Sequence, residues 1–304
     1  MNYKEIDSGN KGPLVLLSAG VHGDEYEPML TVLELIEELP AILSKGVVRF
    51  VTVVNESAYE SASRYGADGH DLARICPGNP SGTSSEIAAA GISKLIKNAD
   101  YFVDMHTGGV VYDIAPLAGY MLHSSEVILE QQRKMALSFN LAVVWGTDNR
   151  PDGRTLSVAR DAAVPAIYLE FGGGTGVRMQ VVKAYKEGFI NMLRCLEMIE
   201  EPVIEQSEKD LFWVEDSRPD SGYLQGKMPS PADGIFVADV GLGEIIEEGQ
   251  LWGRIINPLD GSSINVFADI SGLVFLKRVL VKVKKGDALG GILPILESGK
   301  KVTL

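Results

Sequence analysis

The stretch "LLSAGVHGDEYEP", residues 16–28, decides how the chain is read. A short apolar run ends in small residues, and His22 and Glu25 follow directly. Upstream, "PLVLLSAG" (13–20) has the length and composition of a buried strand. Downstream, "EPMLTVLELIEELPAIL" (27–43) has helical spacing with acidic residues early, as suits a helix N-terminus. An imidazole and a carboxylate therefore stand at a strand-to-helix junction. In open α/β sheets that is where ligands bind.

The same alternation continues. "VVRFVTVVN" (47–55) is rich in β-branched residues and predicts a strand. "SSEIAAAGISKLIKNA" (84–99) predicts a helix capped by Ser84 or Ser85. Strands are expected at 100–108, 141–146 and 164–174, and helices at 124–139 and 178–200. The expected fold is α/β, a mostly parallel mixed sheet flanked by helices. Past a polar junction at 202–212, glycines become frequent and long helical patterns stop. The segment 232–255 loosely repeats as 270–292, which suggests a β-rich domain of two related halves. The expected division is 1–205 and 206–304. The tail resembles the lipoyl/biotinyl barrel-sandwich domains. Its hairpin "NPLDGSSI" (257–264) has no lysine to carry a group, so a structural or lid role is expected.

The chain has 304 residues, 45% of them hydrophobic, and a net charge of −13. This acidity argues against a nucleic-acid partner. The two cysteines, Cys76 and Cys195, fit no zinc or redox spacing. There is no signal-peptide pattern at the start and no apolar run near the ~20 residues of a membrane helix. No membrane partner and a cytoplasmic location are the default expectations. A homo-oligomer stays open.

Of only four histidines, His22 and His106 fall at expected strand ends beside glycines. With Glu25 they make two nitrogens and a carboxylate, a set that leaves a fourth position open, as catalytic zinc requires. One zinc ion per chain is expected. Glu170, in "YLEFGGG", is a carboxylate among apolar neighbours and is the candidate base. "EFGGGTG" lacks the lysine of a phosphate loop, so its glycines are read as allowing close backbone approach to the site. "RPDGR" (150–154) is read as a solvated loop, and His70 and His123 as structural.

"HGDE", the arginine of "SASRYGADG", "DLARICPG", "DMHTG" and "EFGG", in this order, resemble the succinylglutamate desuccinylase/aspartoacylase family of the zinc carboxypeptidase-like fold group. The resemblance covers nearly the whole chain. It implies His22, Glu25 and His106 as zinc ligands and Glu170 as general base. It implies Arg64 at the scissile carbonyl, Arg74 on the substrate carboxylate and Asp71 orienting a zinc-bound histidine. The family pattern DLNR-x-FPG departs here at Ala73 and Cys76, which alters the carboxylate clamp and leaves the substrate unnamed. The implied activity is hydrolysis of a small N-acyl amino acid to a carboxylate and an amine. Alternatives are a metallocarboxypeptidase on short peptides and a non-enzymatic binding protein working through its β domain.

Overall fold

A computed structural model describes residues 1–205, 211–219, 221–222 and 228–295. The strands are β1 (Lys4–Asp7), β2 (Leu14–Ser18), β3 (Val47–Val51), β4 (Tyr101–His106), β5 (Tyr112–Met121), β6 (Val143–Thr147), β7 (Ala166–Gly173) and β8 (Phe212–Glu215). The helices are α1 (Tyr26–Glu38), α2 (Glu56–Glu60), α3 (Ser84–Ile96), α4 (Glu126–Ser138), α5 (Thr155–Asp161) and α6 (Met179–Cys195). The remaining strands are β9 (Gly234–Ala238), β10 (Ile245–Ile246), β11 (Leu251–Ile256), β12 (Ser263–Phe267), β13 (Gly272–Arg278), β14 (Lys282–Val283) and β15 (Gly290–Pro294).

The main sheet runs β1-β3-β2-β4-β7-β5-β13-β10, with β6 and β8 beyond β5 and β15 beside β13. The pairs β3–β2, β2–β4 and β4–β7 are parallel, while β1 and β5 join antiparallel. This is the expected mixed sheet with helices on its faces; it is mostly parallel among β1–β8, while β13, β10 and β15 join antiparallel. Alternate residues of each strand face opposite sides. Leu17, Val103 and Ile167 pack in one core with Val32 and Leu35 of α1, Met135 of α4 and Phe189 of α6. Leu16, Phe102 and Ala166 pack in a second core with Ile92 of α3 and Leu156 of α5. The register Leu16↔Phe102↔Ala166 puts Ser18, Asp104, His106, Tyr168 and Glu170 on that second face.

The long central strand β5 had no counterpart among the expected elements. Pro116 and Gly119 weaken its sequence signal, since proline cannot donate to a ladder and glycine adds no packing. The ladder with β7 shifts register between Ile114 and Leu117, and Pro116 sits in that irregularity. Beyond it the other edge of β5 changes partner. Residues 112–114 pair with β13, and residues 117–121 pair with β6. The cap of α3 is Thr83 rather than Ser84 or Ser85. The Glu86 carboxylate accepts the Thr83 N–H, and Asp68 accepts that of Ser85.

The expected junction reaches residues 206–210, which lie outside the described residues. The repeat expected in the tail is present as β9-β10-β11 and β13-β14-β15. Its halves exchange short strands, with β10 pairing β13 and β14 pairing β9. A second sheet, β12-β11-β9-β14, faces the β13 region across a core of Phe236, Trp252, Val274 and Leu289. The 257–264 segment links β11 to β12. No helix among the described residues is long and apolar enough to cross a membrane.

Candidate metal centre

β2 ends at Ser18, and the chain turns through Gly20 (φ 68°) towards His22. At Gly23 a Cβ would lie 1.9 Å from the carbonyl oxygen of Ala58, so only glycine fits beside His22. Glu25 occupies the N-cap position of α1, yet its side chain caps nothing. Its carboxylate is turned to the histidines instead. Oε1 lies 2.7 Å from His22 Nδ1, and Oε2 lies 3.0 Å from His106 Nδ1. His106 is the last residue of β4. All three residues are buried, and their ligand atoms lie within 4.8 Å of one another.

Both Nε2 atoms face carboxylates. His22 Nε2 is 3.2 Å from Asp71, and His106 Nε2 is 3.1 Å from Asp104. Each imidazole thus presents Nδ1 to a common point and anchors its far nitrogen, the usual outer support of a metal-binding histidine. Two imidazole nitrogens and a carboxylate, buried and convergent, fit one zinc ion with an open position. The charges agree with this. Burial alone would raise the Glu25 carboxyl, but His22 and His106 outweigh it and lower its pKa. Burial opposes the charged form of His106, yet Asp104 and Glu25 raise its pKa well above the ordinary value.

Glu170 pairs with His106 across β4 and β7 and lies within β7. Its Oε2 is buried and has no hydrogen-bond partner among the described residues. Burial, reinforced by Glu25 and Asp104 against the opposing effect of His106 and Arg64, pushes its carboxyl up to about 8. A cation at the ligand set acts in the opposite direction.

Arg64 donates from Nε to Asp71 at 3.0 Å. Asp71 also caps the 3-10 turn Leu72–Arg74 by accepting the Ala73 N–H at 3.0 Å. Arg74 is exposed, and its Nη1 donates to the Ala73 carbonyl. Arg64, Arg74, His22, His106 and Glu170 all line one cavity of about 120 Å³. The structure therefore brings together every site residue expected from the sequence, with Asp71 directly behind His22.

Two groups in this cavity escaped the sequence reading. Arg154, expected in a solvated loop, lines it. Its Nη1 donates to the Gly222 carbonyl at 3.3 Å, while its Nε is buried without a partner. Asp104 is fully buried. The signal for it was its place two residues before His106, hence on the same face of β4. Arg150, the other arginine of that turn, bonds Asp148 and the Ser217 carbonyl. Of the altered motif residues, Ala73 lines the cavity, but Cys76 does not. Cys76 is a core residue packed with Leu72 and Ile92, its thiol pushed up to about 12 by burial.

The glycines after Glu170 serve a neighbouring turn. A Cβ on Gly173 would lie 2.2 Å from the Tyr112 carbonyl oxygen and 2.8 Å from Gly108 Cα, in the loop that follows His106. His70 is exposed near Asp68, and His123 accepts the Ser125 N–H before α4.

Residues 11–196 match the succinylglutamate desuccinylase/aspartoacylase catalytic domain. The chain is 27% identical over 300 residues to an N-alpha-acetyl-L-2,4-diaminobutyric acid deacetylase of Halomonas elongata, covering 95% of this chain and 84% of that protein. A crystal structure of a succinylglutamate desuccinylase/aspartoacylase from Rhodobacter sphaeroides superposes with a TM-score of 0.82 at 26% identity, over 93% of this chain and 86% of that one. The product-bound ectoine utilization protein EutE (DoeB) of Ruegeria pomeroyi gives 0.86 at 23% identity, over 95% and 87%, and speaks for the fold. With the metal-ligand geometry and the catalytic-domain match in agreement, the chain belongs to the succinylglutamate desuccinylase/aspartoacylase family.

Proposed function

We propose that this protein is a zinc-dependent deacylase that hydrolyses the amide of a small N-acyl amino acid to a carboxylate and a free amine. The observation that carries this reading is the convergence of His22, Glu25 and His106, with both histidines lining a cavity that is also lined by Glu170, whose Oε2 has no partner among the described residues. When bound, zinc polarises the acyl carbonyl and makes water acidic enough to ionise near neutral pH. Glu170 takes the proton of the attacking water and returns it to the leaving nitrogen. Arg64, fixed by Asp71, donates to the oxygen on which charge develops. Arg74 meets the substrate carboxylate, a match of planar donors to paired oxygens. Arg154 adds a third arginine to the same cavity.

The relative of known activity removes acetyl from a diamino acid. A small acyl group on an amino acid fits the cavity size here, which is below the ~300–1,000 Å³ of typical ligand pockets. We assign the chemistry to residues 1–205 and the narrowing of the cavity to residues 206–304. Leu276, from β13, lines the cavity and supports that division. The acidic charge of −13 disfavours nucleic acid as a partner. The free thiols Cys76 and Cys195 fit a reducing compartment such as the cytoplasm.

The reading is checked with zinc-loaded protein on a panel of N-acetyl and N-succinyl amino acids beside dipeptides and longer peptides. Release of amine from N-acyl amino acids, with peptides poor, is expected. Preference for dipeptides would make it a carboxypeptidase, and full activity on long peptides would end the narrowing role of 206–304.

A further inference from the structure

Asp104 is a charge with no exposure at all, in the middle of the sheet. Removing a carboxylate from water costs several kcal/mol unless its oxygens are fully engaged. Three elements engage them. Ser18 Oγ, at the end of β2, donates to Oδ1 at 2.6 Å. Thr155 Oγ1, the first residue of α5, donates to Oδ2 at 2.5 Å. His106 Nε2 lies 3.1 Å from the same Oδ2. The register pairs Ser18 with Asp104 across β2 and β4, so the first contact is built into the sheet.

Asp71, behind His22, makes a useful contrast. It is partly exposed, and it is held by the permanent cation of Arg64 and by a backbone N–H of its own turn. It belongs to a local loop. Asp104 instead ties a metal ligand to a distant helix, and Thr155 on that helix follows Arg154 directly in the chain. Arg154 is the N-cap residue of α5 and lines the cavity.

We propose that Asp104 is a positioning residue for both parts of the site: it holds His106 with Nδ1 towards the metal position and, through Thr155, holds the start of α5 that places Arg154. Accepting at Oδ2 fixes the His106 proton on Nε2 and leaves Nδ1 as the ligand nitrogen. Losing the Thr155 hydroxyl releases the first turn of α5 without touching the ligand set. The inference rests on the zinc deacylase reading.

The experiment compares wild-type protein, Asp104→Asn and Thr155→Val. Zinc affinity is read by competition with a chelator, and kcat and KM with an N-acyl amino acid. Asp104→Asn is expected to weaken zinc binding about 10–100-fold while the protein stays folded. Thr155→Val is expected to keep zinc and raise KM about tenfold with kcat little changed, the scale of one charged hydrogen bond. A folded Asp104→Asn with wild-type zinc affinity overturns the His106 assignment, and a wild-type KM in Thr155→Val overturns the Arg154 assignment.

Should Asp104→Asn fail to fold, imidazole NMR of the wild-type zinc protein decides. A slowly exchanging Nε2 proton on His106 is expected, and coordination through Nε2 overturns the proposal. Wild-type protein that holds no zinc defeats the deacylase reading and takes the His106 assignment with it. Wild-type zinc with an indifferent Asp104→Asn defeats only the proposal.

Discussion

The site has two halves made from different kinds of chain. His22, Glu25, Arg64, Asp71 and Arg74 lie in loops and helix caps, fixed by contacts such as Asp71 with the Ala73 N–H and Gly23 against the Ala58 carbonyl. Asp104, His106, Tyr168 and Glu170 stand on β4 and β7, fixed by ladder register with strands on either side. The loop half is specified by short motifs and is adjustable. The strand half is specified by distant pairing and is stiff. The metal position lies where the two meet, so each half fails in its own way.

The largest effect comes from cutting the junction itself. His22→Ala and His106→Ala each remove one of three ligands, and zinc content of the purified variants should fall to background. Retention of stoichiometric zinc by either variant would break the claim that the two halves share one metal. Next, Glu170→Gln removes the base but no ligand. It should keep zinc and lose about 10²–10⁴ in kcat, the usual worth of a positioned acid–base group. Steady-state rates at matched zinc content check this, and a variant within tenfold of wild type would move the base elsewhere.

Glycine substitutions sharpen the contrast between halves. At Gly23 an added Cβ meets backbone, 1.9 Å from the Ala58 oxygen, which cannot rotate away. At Gly119 it meets the ring of Tyr168 at 2.1 Å, a side chain that can shift. Gly23→Ala should therefore impair zinc binding strongly. Gly119→Ala should keep zinc and lose about 1–3 kcal/mol of stability, as overpacking does. Zinc titration and thermal melting separate the two, and the reverse order would contradict the claim that the Ala58 backbone holds the His22 turn in place.

The smallest effect lies behind the loop half. Burial raises the Asp68 carboxyl, but hydrogen bonds from Thr83, Ser85 and the His70 N–H outweigh it and lower its pKa. A lowered pKa in the folded state means stability that is present above the ordinary aspartate value of ~3.9 and is lost as pH falls below it. Asp68→Asn should cost about 1–2 kcal/mol at neutral pH. The gap from wild type should close in acid. Melting curves across pH show whether it does.

The same division explains what could be read from the sequence. The loop half announces itself, because "HGDE" and "DLARICPG" keep their working residues within a few positions. Glu170 was visible as a carboxylate in an apolar run. Asp104 and Arg154 were not, because Asp104 is engaged by Ser18 and Thr155, 86 and 51 residues away in the chain, and Arg154 by the Gly222 carbonyl, 68 residues away. β5 was hidden by Pro116, although it forms the floor between β7 and the C-terminal strands. In the tail the repeat was legible, since like segments recur at 232–255 and 270–292. The exchange of β10 and β14 between the halves was not, because a two-residue strand carries no periodicity of its own.

The most direct test of the account is the zinc content of the wild-type protein beside Glu25→Ala, measured after identical metal loading and removal of excess metal. Among the described residues Glu25 is the one carboxylate within ion-pair distance of both His22 and His106, so the whole centre depends on it. About one zinc per wild-type chain and none in the variant are expected. Wild-type protein without zinc, or a Glu25→Ala variant that binds it as tightly, would contradict the account.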